Sequence, residues 1–257
     1  MLYHSIYSAE NDSKKWICFI HGAGGNSSIW FNQVRFFKAY FNILLIDLRG
    51  HGKSEGSPEG TAYSFDVIIE DIIAVLDKNK IEKSHFVGIS LGSILIQQML
   101  QTHNDRVEKI GLGGAILNLN LQSRLLMFLG KLTQSILPFI WIYTFFAYVI
   151  MPYKAHRHSR ALFIKEAKKL SQNEFKRWYK LTANILPLLE RIRKHEVLAP
   201  TLYIMGKEDY MFLPFVKEIV QLHQSSSLIT VLNSGHVVNI DQPELFNKHL
   251  LKFLLKD

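Results

Sequence analysis

Along the first 115 residues, short hydrophobic runs alternate with one-sided helical stripes. After a short N-terminal strand, Lys15 to Ile20 reads as a buried strand and ends in His21-Gly22-Ala23-Gly24-Gly25. A helix from about Ser28 to Ala39 leads to a second apolar run, Asn42 to Asp47. From Phe65 to Asn79, apolar residues recur at Val67, Ile68, Ile72, Val75 and Leu76, a stripe suited to packing on a sheet face. His85 to Val87 predicts a short strand, followed by an abrupt turn and an apolar helix from about Leu91 to Thr102. Val107 to Gly114 is a strand ending in glycines. Such alternation predicts an α/β fold: a mostly parallel, doubly wound sheet with helices on both faces. Sites in such sheets lie at the carboxyl ends of the strands.

Between Ile116 and His195 the alternation stops, and the chain becomes helical, apolar and basic. It returns with a strand at Pro200 to Gly206, a helix to about His223, a last strand from Ser227 to Leu232 and a closing amphipathic helix. The pattern divides the chain into a core of residues 1–115 and 196–257 and an inserted helical lid, residues 116–195. Ser135 to Met151 is almost uncharged over about the minimum membrane-spanning length. Pro138, Thr144, the tyrosines and the later return of the sheet favour a lid over a membrane span.

Composition narrows the class. A chain of 257 residues, 48% hydrophobic and 20% charged, can bury a sizeable core and is not disordered. Cys18 stands alone and cannot form an intrachain disulfide, and Met1 to Tyr7 shows neither the basic nor the apolar part of a signal peptide. A cytoplasmic location is the expectation. The net charge of +8 has one source. Fourteen of the thirty Lys and Arg lie between Arg124 and Lys194, against the acids Glu166, Glu174 and Glu190; the rest of the chain holds sixteen basic and nineteen acidic residues. A solvated helical face is the commoner cause of such a bias. The sharper expectation is peripheral contact of the lid with an anionic membrane, its aromatics dipping in. No nucleic-acid partner is expected.

The chemistry centres on Gly88-Ile89-Ser90-Leu91-Gly92, a Gly-x-Ser-x-Gly turn between strand and helix. A serine hydroxyl is a poor nucleophile unless a base takes its proton, and a sharp turn lifts it clear of the sheet. The glycines of the His21–Gly25 loop let the backbone approach a reacting carbonyl, so that the Ala23 N–H can face a developing oxyanion. A dinucleotide fingerprint would need glycine where Ser27 stands, and a P-loop ending in Gly52-Lys53-Ser54 would need glycine where Asp47 stands. Asp47 and Arg49 read instead as structural ties between loops. The remaining candidates follow strands in the order Ser90, Asp209, His236, a nucleophile, an acid that orients the imidazole, and a base. Glu208 and Asp241 compete with Asp209 for the acid role; Asp209 is favoured because it sits three residues past the strand-ending Gly206. His156 and His158 read as surface residues of the lid, and neither metal nor cofactor is expected.

These segments together resemble the α/β-hydrolase superfamily over about residues 15–115 and 197–256. His21 to Gly25 resembles its oxyanion loop, Asp47 to Ser54 its D-x-R-G-H-G-x-S segment, Gly88 to Gly92 its elbow, Gly206 to Asp209 its acid loop and Gly235-His236 its base. The N-terminus is shorter than the superfamily's, so its usual first strands are expected to be reduced. The resemblance implies nucleophile Ser90, acid Asp209, base His236 and oxyanion donors at the Ala23 and Leu91 N–H groups. It also implies acyl transfer rather than epoxide or haloalkane hydrolysis, which use an aspartate at the elbow. With an apolar lid, the expected substrate is a small hydrophobic ester or lipid, cleaved in carboxylesterase or lipase fashion. Thioesterase, carbon–carbon hydrolase and perhydrolase activities are alternatives on the same triad, and a ligand receptor of the same fold is another. A membrane-anchored interaction protein would require the Ser135–Met151 run to span.

Overall fold

The computed structural model describes residues 1–256 apart from 12, 59–60, 62, 134–135 and 197–198. Seven strands form one sheet: β1 (His4–Tyr7), β2 (Trp16–Ile20), β3 (Asn42–Ile46), β4 (Ser84–Ile89), β5 (Val107–Gly113), β6 (Thr201–Gly206) and β7 (Ser226–Val231). Their order is β1-β3-β2-β4-β5-β6-β7. Every pairing is parallel except β1 with β3, where His4 opposes Ile46. β1 is thus an antiparallel strand at the edge of the sheet.

Side chains alternate across the sheet because successive residues of a strand point to opposite faces. On β2 and β3, Cys18, Ile20, Leu44 and Ile46 join one core, while Ile17, Phe19, Ile43 and Leu45 join the other. The first core is covered by α2 (Phe65–Lys78) and α3 (Leu91–Thr102), the second by α1 (Phe31–Phe37) and the closing helix Pro243–Leu254. Ser64 starts α2 by accepting the Val67 N–H (3.1 Å), a cap that contributes about 1 kcal/mol. The helix expected from Ser28 begins instead as a 3₁₀ turn, Ser27–Trp30, because Asn26 draws in the Ser28 N–H with its side chain and the Ile29 N–H with its carbonyl.

Between β5 and β6 lies a helical insertion: α4 (Leu121–Thr133), α5 (Phe139–Ile150), α6 (Arg157–Ala167), α7 (Gln172–Leu181) and α8 (Ile185–Lys194). Of the apolar run from Ser135 to Met151, Ser135 lies outside the described residues, and the rest centres on α5. Twelve helical residues rise about 18 Å, well short of a ~30 Å bilayer core. Among the described residues no helix is long and apolar enough to cross a membrane.

Candidate active site

Because β2 and β4 to β7 run parallel, the loops after them share one edge of the sheet. Ser90 follows β4, Ala23 follows β2, Asp209 follows β6 and His236 follows β7. Ser90 has φ +54° and ψ −118°, a left-handed conformation that costs a side-chain-bearing residue about 1–3 kcal/mol. Two close approaches hold it there. A Cβ on Gly92 would lie 2.3 Å from the Ile20 carbonyl oxygen, and one on Gly88 would lie 2.7 Å from the Gly92 backbone. Ser93 steadies the turn from below, donating to the Ser90 carbonyl (2.6 Å) and accepting the Ile116 N–H (3.1 Å).

His236 and Asp209 are both buried, and His236 Nδ1 donates to Asp209 Oδ2 at 2.9 Å. With the proton on Nδ1, the lone pair sits on Nε2. Ser90 donates its backbone N–H to Gly113, and the adjoining Gly114 packs on His236. The Ser90 and His236 side chains line one small cavity of about 30 Å³, room for about one water, without a direct hydrogen bond between them. Such contacts often tighten only when substrate binds. Asp241 is occupied elsewhere, accepting the Gly235 N–H at 2.8 Å and so fixing the loop that carries His236. Glu208 turns the other way, to His156 (Oε2 to Nε2 2.7 Å). His156 is therefore not on the surface: it is fully buried against Gly235, because the turn before α6 folds back onto the loops of Asp209 and His236. His158 is exposed.

The loop that carries Ala23 is fixed from both sides. The Gly24 N–H donates to His51 Nε2 (3.0 Å), and the Tyr143 hydroxyl of α5 donates to the Ala23 carbonyl (2.5 Å). One peptide plane is thus clamped between core and insertion, and Ala23 lines the same small cavity as Ser90. Among the described residues neither the Ala23 nor the Leu91 N–H donates to another protein group. Accepting at Nε2 requires His51 to carry its proton on Nδ1, which faces the Arg49 carbonyl (3.0 Å). His21 repeats the arrangement, taking the Leu48 N–H at Nε2 (2.9 Å) and facing the Gly22 carbonyl with Nδ1 (2.7 Å). Burial pushes both imidazoles down, His51 to about 3 with a further push from His21. Neither residue was marked by the sequence pattern except as part of a turn. Asp47 and Arg49 do tie loops together: Asp47 accepts the Ser27 and Lys53 N–H groups, and Arg49 forms a two-point pair with Asp71 (2.7 Å each).

These histidines make stability depend on pH. Unfolded imidazoles titrate near 6.5, whereas folded His51 stays neutral down to about 3, so the unfolded chain binds more protons between those values. Stability is complete above about pH 6.5 and declines as pH falls through this window. The urea midpoint is expected to drop steadily from pH 7 to pH 4. His51→Asn, whose carbonyl can accept the Gly24 N–H without titrating, flattens that decline, leaving the share of His21 and of His85, which burial lowers to about 4. An unchanged slope would remove His51 from this role.

On the other side of Ser90 lies a cavity of about 230 Å³, lined among others by Ile94, Ile116, Leu126, Met127, Phe146 and Trp178. Core and insertion share it, and its walls are almost wholly apolar. A 150 Å³ cavity admits a benzene ring, so this one has room for an apolar group of roughly nine carbon atoms. Ser159, Leu162, Phe163 and Glu166 of the insertion line the smaller cavity, whose exposed walls are also almost wholly apolar. Glu166 is buried, accepts from Asn26 and pairs with Lys169 (2.6 Å). Nothing in the local sequence singles out Glu166 or Tyr143; only the packing of α5 and α6 brings them to this edge.

Comparison with known proteins bears on the fold. Residues 15–136 match the family model described as alpha/beta hydrolase fold. Epoxide hydrolase 4 of Mus musculus is 22% identical, the match covering 99% of this chain and 77% of that protein. The putative 2-succinyl-6-hydroxy-2,4-cyclohexadiene-1-carboxylate synthase of Bacillus subtilis (strain 168) is 26% identical over 95% of this chain and 91% of its own. The crystal structure of the enol-lactonase from Burkholderia xenovorans LB400 superposes with a TM-score of 0.80 at 20% identity, covering 99% of this chain and 96% of that one.

Proposed function

The chain has the α/β-hydrolase fold, and from the arrangement around Ser90 we propose that it is a serine hydrolase cleaving a carboxylic ester, open or cyclic, with an apolar acyl group. One observation carries the reading: a serine held at positive φ, with a buried His236–Asp209 pair on one side and an apolar cavity on the other. In the proposed reaction His236 Nε2 takes the Ser90 proton as Oγ attacks the ester carbonyl. The Ala23 and Leu91 N–H groups stabilise the tetrahedral oxyanion, and loss of either would cost about 2.7–4 kcal/mol in the barrier. Imidazolium then protonates the departing alcohol, leaving an acyl-enzyme. Water, deprotonated by the same imidazole, attacks the acyl-enzyme; the bond from the acyl carbon to Ser90 Oγ then breaks, the imidazolium returns the proton to Oγ, and the acid leaves. Asp209 keeps the ring in the tautomer that the cycle needs and offsets its transient charge.

The named relatives support the fold and a hydrolytic setting more than any one substrate. A lactone is a cyclic ester, so the enol-lactonase likeness fits this chemistry without a change of mechanism. The epoxide hydrolase name does not carry over so readily, since a serine elbow forms an acyl-enzyme from a carbonyl substrate.

Acyl-chain preference tests the substrate reading. Each methylene buried in the apolar cavity contributes about 0.8 kcal/mol, close to fourfold. Values of kcat/KM for p-nitrophenyl esters are expected to climb from acetate to about octanoate and to fall once the chain outgrows the cavity. Leu126→Trp, which narrows the cavity, would move that maximum to shorter chains. A strict preference for acetate would exclude the apolar-acyl reading.

A further inference from the structure

The helices that roof the apolar cavity have a second apolar face, and it points outward. On α4, Leu126 and Met127 line the cavity while Leu125, Phe128 and Leu132 are exposed. On α5, Phe146 and Ile150 line it while Trp141, Phe145 and Tyr148 are exposed, Trp141 by 64%. The two helices are neighbours, Gly130 of α4 lying against Phe146 of α5, so the outward stripes sit side by side. Monomeric proteins seldom leave so many large apolar side chains together in water.

Charge says what covers them. From residue 109 to residue 165 the chain has no Asp or Glu at all. Arg124 and Lys131 are exposed on α4, Lys154 and Arg157 follow α5, and the Arg160 guanidinium stacks over the Tyr148 ring at 4.4 Å. A second copy of the chain docking here by a two-fold axis would set two cationic faces against each other. An anionic bilayer matches both properties: acyl chains receive the Leu, Phe and Trp side chains, and headgroups meet the Lys and Arg that border them. The helices are too short to span, so they lie in the interfacial plane.

We propose that the outer face of α4 and α5 docks on the surface of an anionic bilayer. Given the hydrolase reading above, on which this consequence rests, the cavity beside Ser90 then lies directly beneath the docked face, and the substrate class is an ester dissolved in the membrane. Docking itself does not depend on catalysis.

The test is co-sedimentation of the full chain with phosphatidylcholine vesicles, with and without 30% phosphatidylglycerol, at low and high salt. The expected result is at least tenfold stronger binding to the anionic vesicles, weakened by salt, with a blue shift of Trp141 emission that Trp141→Phe abolishes. Lys154→Gln with Arg157→Gln is expected to weaken anionic binding about twenty-five-fold, at about fivefold per positive charge removed. Phe128→Ser with Phe145→Ser, both on the surface and so tolerated by the fold, would weaken binding to either vesicle at least tenfold. Ser90→Ala is expected to bind like the parent, so a failed hydrolase reading would leave docking standing. Equal partition onto neutral and anionic vesicles at low salt would overturn the proposal. So would a dimer in solution that buries Trp141.

Discussion

Ser90→Ala is expected to lower kcat for a p-nitrophenyl ester by about 10⁵-fold or more, some 7 kcal/mol of transition-state stabilisation. The protein should remain folded. Ser90 Oγ makes no hydrogen bond to the protein among the described residues, and the strain at this position lies in the backbone, where alanine experiences it equally. The companion variant separates strain from chemistry. Ser90→Gly relieves the φ of +54° and should raise stability by about 1–3 kcal/mol while being equally inactive. Backbone strain at a serine whose hydroxyl makes no bond to the protein is what the nucleophile reading expects, and a structural serine has no use for it. The check is mass spectrometry after a fluorophosphonate probe, beside urea denaturation. The parent gains one adduct on Ser90 and both variants gain none. A Ser90→Ala protein that kept even a hundredth of the parent activity would place the nucleophile elsewhere.

Much of the arrangement could be read from the chain because local chemistry demanded it. Gly88 and Gly92 stand where any side chain would strike backbone, and such demands leave a fixed spacing in the sequence. Strands β2 to β6 were legible because both faces of the sheet are covered, which makes each strand a nearly unbroken apolar run. The insertion was legible only as a class. Its helices pack through tertiary contacts with no counterpart in local spacing, so Tyr143 reaching Ala23, or Glu166 reaching the small cavity, had no signal to announce it. His156 shows the same limit in reverse. A histidine among Lys and Arg looks solvated, yet the turn before α6 buries it on Gly235. The expected helical roof was right in kind, while the residues by which it grips the core came only from its packing.

Three carboxylates near the base could each have served as its partner, and substitution should separate them by orders of magnitude. Asp209→Asn is expected to lower kcat about 10⁴-fold with KM changed less than about threefold. An amide at 209 can turn its NH₂ toward His236 Nδ1, which then becomes the acceptor and moves the ring proton to Nε2. The imidazole is then protonated on the nitrogen that should receive the Ser90 proton. Asp241→Asn keeps an oxygen to accept the Gly235 N–H and should cost no more than about tenfold, by loosening the loop. Glu208→Gln acts at one remove, since its carboxylate faces His156 rather than His236, and a loss of threefold or less is expected. The order Asp209, Asp241, Glu208 follows from where each oxygen points, although 208 and 209 are adjacent in the chain. Steady-state kinetics on all three variants decides it. If Glu208→Gln were as damaging as Asp209→Asn, the acid would have to be reassigned, and the 2.9 Å contact at His236 Nδ1 would be packing without consequence for the reaction.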